Sequence, residues 1–333
     1  MEIIPNILKK LLIPLLLLLV TNILSAKLRR FEQTSPHMGA LFRIVIYEEN
    51  EVSAQKAFQK AFKRIETLNS ILSDYQQDSE LSRLSMTAGS GMKVKVSNEL
   101  WTVLRAGHEI SKASNGAFDV TVGPFARLWK FARHKRQLPS PDRIERFRSA
   151  VDYQKIEFHH DERAIRLLIP NMFIDLGGIA KGYAADEALR TLVNEGIKSA
   201  LVDAGGDLVL GDPPPGTEGW RITIGGRNHP GLPTLKLSNC AVATSGDVEQ
   251  FLEIGGQNYS HIVDPRTGMG ITNRRQATII APTGMKADAL ASAACILPFC
   301  STDKLINTQT GVKGYLIEKS GKKTTLKQIP TRR

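Results

Sequence analysis

The chain has 333 residues, 42% hydrophobic and 23% charged, which supplies a large core and excludes a disordered polyelectrolyte. Its formal charge of +11 raises the question of nucleic-acid binding, but the basic residues are scattered, no Lys/Arg run forms a stripe and aromatics are only 6%. No nucleic-acid footprint is present, and a basic exported protein that accepts anionic ligands and rests near anionic membranes fits better.

Residues 1–26 stand outside the fold. Lys9-Lys10 precede the apolar run Leu11–Val20, and small residues follow at Ser25-Ala26. That order describes a secretory signal peptide, with an uncleaved N-terminal anchor as the alternative. No cysteine follows the run to carry a lipid. The expected location is therefore the periplasm or the outer face of the inner membrane.

Residues 41–47 read as a first strand. Ala54, Ala57, Phe58, Ala61, Phe62, Ile65 and Leu68 recur at helical spacing and predict a helix over 53–71. A polar loop and a short helix follow, then a helix over 97–114 stopped by Asn115-Gly116. Residues 117–124 read as loop, 125–132 as helix and 134–142 as an exposed connection. A hairpin is expected over 156–160 and 164–169, and a short strand over 171–174. Helix 179–194 leads to strands 200–202 and 208–210, short strands over 220–254 and a strand over 274–280. Helix 282–297 and strand 314–318 complete the pattern, with a frayed tail from Lys319. Cys240, Cys295 and Cys300 are an odd set without a disulfide framework. Cys295 and Cys300 read as buried packing residues, and a bond between them is left open. His159-His160 point to opposite faces of a strand and make a poor chelate. The mixed element order argues for one α+β domain, with a division into two lobes around a cleft left open, and against a Rossmann fold.

Three segments carry chemistry. In Asp175-Leu-Gly-Gly-Ile-Ala-Lys-Gly-Tyr-Ala184 a strand-end carboxylate meets a bare glycine turn and a helix start, a place for a phosphorylated ligand and its cation. The glycine spacing fits neither G-x-G-x-x-G nor Walker A. Tight packing of the helix on the sheet is the competing explanation. In Ala281–Ser292, Asp288 and Ser292 lie four apart on one helix face, so a carboxylate and a hydroxyl suit a hard cation such as Mg²⁺, with a Gly177-Gly178 carbonyl as a third oxygen. A dipole-complementing acid is the alternative. In Tyr259-Ser-His-Ile-Val-Asp-Pro-Arg-Thr-Gly268, His261 is a base or a phosphate contact, or a structural histidine.

These segments, with Met38-Gly39, Leu72-Ser-Asp-Tyr75, Gly116–Pro124, Val202–Asp207 and Ala243–Asp247, resemble in order and content the FAD:protein FMN transferase (ApbE) family over roughly residues 36–297. The resemblance implies an α+β, single mixed-sheet domain of two lobes, residues 27–333, with a flavin/Mg²⁺ cleft. It implies that Met38, Tyr75, Ala117, Phe118, Asp119, Asp175, Lys181 and His261 bind FAD, and that Gly178 (through its carbonyl), Asp288 and Ser292 hold Mg²⁺. Lys181 and the helix start at 178–180 would supply positive potential, and the base would be His261 or Asp175. The implied reaction moves FMN from FAD onto a Thr or Ser hydroxyl of an acceptor flavoprotein, such as a subunit of an ion-translocating or electron-transfer complex, and releases AMP. FAD hydrolysis to FMN and AMP, or FAD binding without turnover, are the alternatives. Ser292 stands where the family more often has Thr, which keeps the oxygen and loses a methyl.

Overall fold

A computed structural model describes residues 28–226, 229, 231–246, 251–320 and 323–329. The expected signal or anchor at 1–26 lies outside them. Strand β1 (Arg29–His37) turns through Met38 and Gly39 into β2 (Ala40–Glu48). Both turn residues have positive φ, 50° and 70°, as a two-residue type I′ hairpin requires. Helix α1 (Glu51–Leu72) starts where the Asn50 side chain accepts the Ser53 N–H at 2.8 Å, and it buries the expected apolar stripe. After α2 (Glu80–Met86), β3 (Val94–Lys95) and α3 (Asn98–Ala113), the chain enters α4 (Gly123–Lys135) and α5 (Pro141–Arg148).

The short sheet β3-β5-β4 holds β4 (Ile156–His159) and β5 (Ala164–Leu167). Then come α6 (Ala180–Asn194), β6 (Ala200–Ala204), β7 (Asp207–Leu210), β8 (Trp220–Thr223), β9 (Thr234–Leu237) and β10 (Cys240–Gly246). Hairpins β11 (Phe251–Ile254) with β12 (Gln257–Ser260) and β13 (Val263–Asp264) with β14 (Met269–Gly270) lead to β15 (Arg275–Ala281). Helices α7 (Gly284–Ile296) and α8 (Phe299–Asn307) precede β16 (Lys313–Ser320) and β17 (Lys323–Ile329).

The main sheet has the order β1-β2-β6-β7-β10-β15-β16-β17, and its neighbours pair antiparallel. Its two faces follow from strand alternation. Phe42, Ile44, Ile46, Val202, Ala243, Ile279 and Leu316 join the main core, where α1, α6 and α7 pack. Val45, Leu201, Val242, Ile280 and Tyr315 face the other way, toward Trp220 and Ile222 of the β8–β9 hairpin. A third cluster, Phe125, Leu128, Trp129, Ile144, Leu252 and Val263, gathers α4 and α5 against β11 and β13. Helix α7 is buried almost all round by small residues, including Ala287, Ala289, Ala291, Ala293 and Ala294, so backbones can approach it closely.

Several expectations change. The first strand is β1, a polar edge strand. Residues 171–174 form no strand; Phe173 makes one isolated parallel bridge to Val122. Part of the expected connection at 134–142 is helical, because Pro141 occupies the first helical turn of α5. Helix α8 was not expected, and the tail expected to fray pairs as β17 instead. The cysteines are free, and Cys300 is exposed while Cys295 is buried.

Candidate active site

The glycine turn before α6 is fixed from within. Asp175 donates its N–H to the Val120 carbonyl at 2.8 Å, and its Oδ1 accepts the Gly177 N–H at 2.8 Å. Gly178 lies against α7: a Cβ placed there would stand 3.0 Å from Ser292 Oγ and 3.3 Å from Phe118 Cε2. One turn further, α6 and α7 cross at paired glycines. A Cβ at Gly284 would meet the Gly182 carbonyl oxygen at 2.5 Å, and one at Gly182 would overlap the Gly284 carbonyl. The competing packing explanation is therefore right for Gly182, with α7 rather than the sheet as the partner. Asp186 locks the crossing by accepting the Gly284 and Met285 N–H groups at 2.6 and 2.9 Å. Burial pushes its carboxyl up to about 6 despite those two bonds.

The residues expected to hold a metal lie along the same crossing. Asp288, 2% exposed, and Ser292 sit one turn apart on α7, and Ser292 lies beside Gly178. Asp288 Oδ2 accepts the Gly182 N–H at 3.2 Å and lies 3.6 Å from Lys181 Nζ. Lys181 Nζ pairs with Asp207 Oδ2 at 2.5 Å. Burial raises the Asp288 pKa to about 7, Lys181 opposes that rise, and Asp207 adds to it. Burial works against the Lys181 charge, but Asp207 and Asp288 outweigh it and raise its pKa.

These bonds correct the expectation that Lys181 and the start of α6 present open positive potential. The Gly177 N–H is taken by Asp175, the Ile179 and Ala180 N–H groups by the Leu176 carbonyl, and the Gly182 N–H by Asp288. The anion at the start of α6 is thus the chain's own Asp288. With both carboxylates ionised, Lys181, Asp207 and Asp288 sum to one negative charge. A carboxylate and a hydroxyl one turn apart on α7 have oxygen-donor chemistry that suits a hard cation. Among the described residues no three His, Cys, Asp or Glu side chains gather as a metal group.

A second cluster surrounds Asp175. Asp74, past the end of α1, has its carboxyl pushed up to about 6 by burial and by the neighbouring Asp175. Burial likewise raises Asp175. The Arg127 guanidinium lies beside both and sits 3.1 Å over the Phe173 ring. Lys130 Nζ lies 4.3 Å over the exposed Tyr75 ring.

The remaining predicted residues are more dispersed. Ala117 and Phe118 are buried, and the Phe118 ring backs Gly178. Both Asp119 oxygens are already bonded: Oδ1 accepts the Thr121 N–H and hydroxyl at 2.7 Å, and Oδ2 accepts the Tyr153 N–H at 3.0 Å. Asp119 therefore ties residues 119–121 to the chain before β4, at the wall of a cleft of about 230 Å³ shared with Gly116 and Arg266. Met38 occupies the β1–β2 turn, next to the β6–β7 turn that carries Asp207, where Gly205 donates to the Leu41 carbonyl at 3.1 Å. His261, partly buried and engaged with the protein, stands in the bend between β12 and β13. Sequence reasoning missed the roles of Asp74, Arg127, Asp186 and Asp207. Asp74 and Asp207 lie inside quoted motif segments, whereas nothing local marks Arg127.

A sequence profile described as the ApbE family matches residues 38–316. The FAD:protein FMN transferase of Vibrio cholerae is 30% identical over 274 residues, covering 79% of this chain and 80% of the relative. The FAD:protein FMN transferase of Treponema pallidum is 29% identical over 311 residues, covering 88% and 85%. Among solved structures, the flavin transferase ApbE of Vibrio cholerae superposes with a TM-score of 0.79 at 26% identity, covering 90% of this chain and 97% of that one. The ApbE protein of Thermotoga maritima does so with the same score, identity and coverage. With the profile spanning most of the chain and the motif residues converging at the α6–α7 crossing, this chain belongs to the ApbE family.

Proposed function

We propose that this chain is an exported, Mg²⁺-dependent FAD:protein FMN transferase that modifies a Thr or Ser hydroxyl of an acceptor flavoprotein and releases AMP. The observation that carries it is the α6–α7 crossing, where Ser292 lies beside Gly178 and Asp288, one turn away on α7, faces Lys181 and Asp207. It occurs in a chain whose relatives of that name align over about four-fifths of both sequences.

In this reading the acceptor oxygen bonds to the FMN-side phosphorus. The bond from that phosphorus to the bridging oxygen breaks, and AMP leaves with the electron pair. Bound Mg²⁺ would neutralise charge on the pyrophosphate and the departing AMP. Asp288, Ser292 and the Gly178 carbonyl would hold it, while Lys181, itself clamped by Asp207, steadies the Asp288 carboxylate. His261 takes the proton of the acceptor hydroxyl, since an ordinary histidine titrates near neutrality. Asp175, already bonded to Gly177, shapes the turn. Tyr75 offers an exposed ring for stacking on FAD, and Phe118 forms a floor behind Gly178. Export and membrane proximity rest on the Lys9–Ala26 pattern; the acceptor is a subunit of an ion-translocating or electron-transfer complex or another flavoprotein.

The test is a gel assay for covalent flavin fluorescence. Residues 27–333 are mixed with FAD, Mg²⁺ and an acceptor domain bearing an Asp-x-x-Ser/Thr-Gly-Ala-Thr segment. A fluorescent acceptor band that EDTA abolishes and FMN cannot replace supports the transferase. Release of AMP and FMN without a band makes the protein a FAD pyrophosphatase, and intact bound FAD makes it a binding protein.

A further inference from the structure

More than half of the net charge comes from one contiguous segment, and the fold turns it to the surface. Residues 127–148 hold eight Lys/Arg and two Asp/Glu, a net +6 of the chain's +11 in 22 residues. Helices α4 and α5 hold most of this segment and pack together through Phe125, Leu128, Trp129 and Ile144, which turns its charges outward. Arg127, Lys130, Lys135, Arg136, Arg143, Arg146 and Arg148 are exposed. Glu145 is spent on Arg148 at 2.7 Å, whereas Lys135, Arg136, Arg143 and Arg146 make no ion pair among the described residues. The surface is continuous with the candidate site, because Arg127 reaches Asp74 and Asp175 and Lys130 covers Tyr75.

We infer that the exposed α4–α5 surface is the docking site for an acidic face of the acceptor protein. The inference rests on the transferase reading, because a protein hydroxyl must then be delivered beside this helix. Charge complementarity selects an acidic partner, and guanidinium groups suit carboxylates bidentately. Phe131 and Leu138 are the segment's exposed large apolar side chains, and Phe131, the larger, is not a free wedge for a bilayer. Arg143 lies 5.3 Å from its ring centroid and Lys135 5.9 Å.

The test uses two fluorescent peptides carrying the acceptor segment, one flanked by glutamates and one by serines. Binding is followed by anisotropy and transfer by covalent fluorescence, with full-length protein, FAD and Mg²⁺. The glutamate-flanked peptide is expected to bind about tenfold more tightly, with an advantage that high salt removes. That advantage also disappears in the triple variant Lys135→Glu, Arg143→Glu, Arg146→Glu, and shrinks in the corresponding triple Gln variant, which keeps the reading if the first folds poorly. Equal affinities for the two peptides in wild type overturn the docking site. Vesicles containing phosphatidylglycerol provide the other arm. If the triple variant loses vesicle binding and keeps the peptide preference, the surface faces lipid and the inference fails. Preferential binding of the acidic peptide with no flavin transferred leaves the docking surface standing and refutes the transferase.

Discussion

Gly182→Ala tests whether the α6–α7 crossing sets the site. The added methyl would overlap the Gly284 carbonyl and stand 2.8 Å from the Met285 nitrogen, where ordinary contact is 3.4–4 Å. Backbone on both sides cannot rotate away, so the helices must separate by about 1 Å, at an overpacking cost of roughly 1–3 kcal/mol. Alanine returns about 1 kcal/mol of helix propensity. The net expectation is a loss of up to about 2 kcal/mol, or a Tm lower by up to roughly 4 °C in a protein of this size. The catalytic loss is larger. The same separation shifts Asp288 and Ser292 relative to Gly178, and a misplacement of about 1 Å costs about a hundredfold in rate. Gly178→Ala is the companion, because its methyl meets the Ser292 hydroxyl at 3.0 Å and that group can rotate. It should leave Tm nearly unchanged. Scanning calorimetry and initial transfer rates read both variants. Wild-type Tm and rate in Gly182→Ala would refute the reasoning, as would a greater loss of stability in Gly178→Ala.

Asp288→Asn should abolish transfer and the Mg²⁺-induced rise in Tm, yet stabilise the metal-free protein in alkali. The folded pKa of about 7 exceeds the ordinary 3.8, so stability is lost as pH rises between the two values. Denaturant melts at about pH 8 should favour the variant, with little difference near pH 4, and equal stability at both removes the account of the buried carboxylate. Asp74→Asn follows the same sign over the window from 3.8 to about 6. Discounted for its partial exposure, the gain above pH 6 is about 1–2 kcal/mol, and a variant less stable than wild type there would contradict repulsion with Asp175. His261→Gln should remove the acidic limb of the kcat/KM profile for transfer, whereas Asp175→Asn should lower the rate and retain that limb; the reverse outcome assigns the base to Asp175.

Helices α1 and α6 were legible because their apolar or small residues repeat at helical period, and α3 was bounded by a clear stop. Strand β1 was not, because Arg29-Arg-Phe-Glu-Gln-Thr-Ser-Pro-His37 is a polar edge strand that needs no alternation and tolerates Pro36. Residues 134–142 were read as a connection, whereas Pro141 starts a helix. Residues 171–174 carry strand-like apolar residues but find only one bridge, so pattern without a partner misled. That Asp288 and Ser292 share one helix was legible because they are four apart, a spacing local sequence can reveal. What Lys181 does was not, since Asp207 lies 26 residues away and Asp288 reaches back 106 residues to Gly182. Charge on a helix reads as available until the fold supplies its counterion. The α4–α5 surface shows the converse: its charges are close together in the sequence, and the fold leaves Lys135, Arg136, Arg143 and Arg146 exposed without counterions among the described residues.

The glycine contact between α6 and α7 also divides the site mechanically. Two helices whose main chains touch have no layer of side chains to compress or slide, so this bank behaves as an anvil. In the transferase reading, adjustment to a long dinucleotide would fall to Tyr75 and Lys130, which stand on the surface and can change rotamer without disturbing a core. Ligands differing at an aromatic end that meets Tyr75 would then be told apart there, while a group held at the crossing would meet the same fixed frame every time.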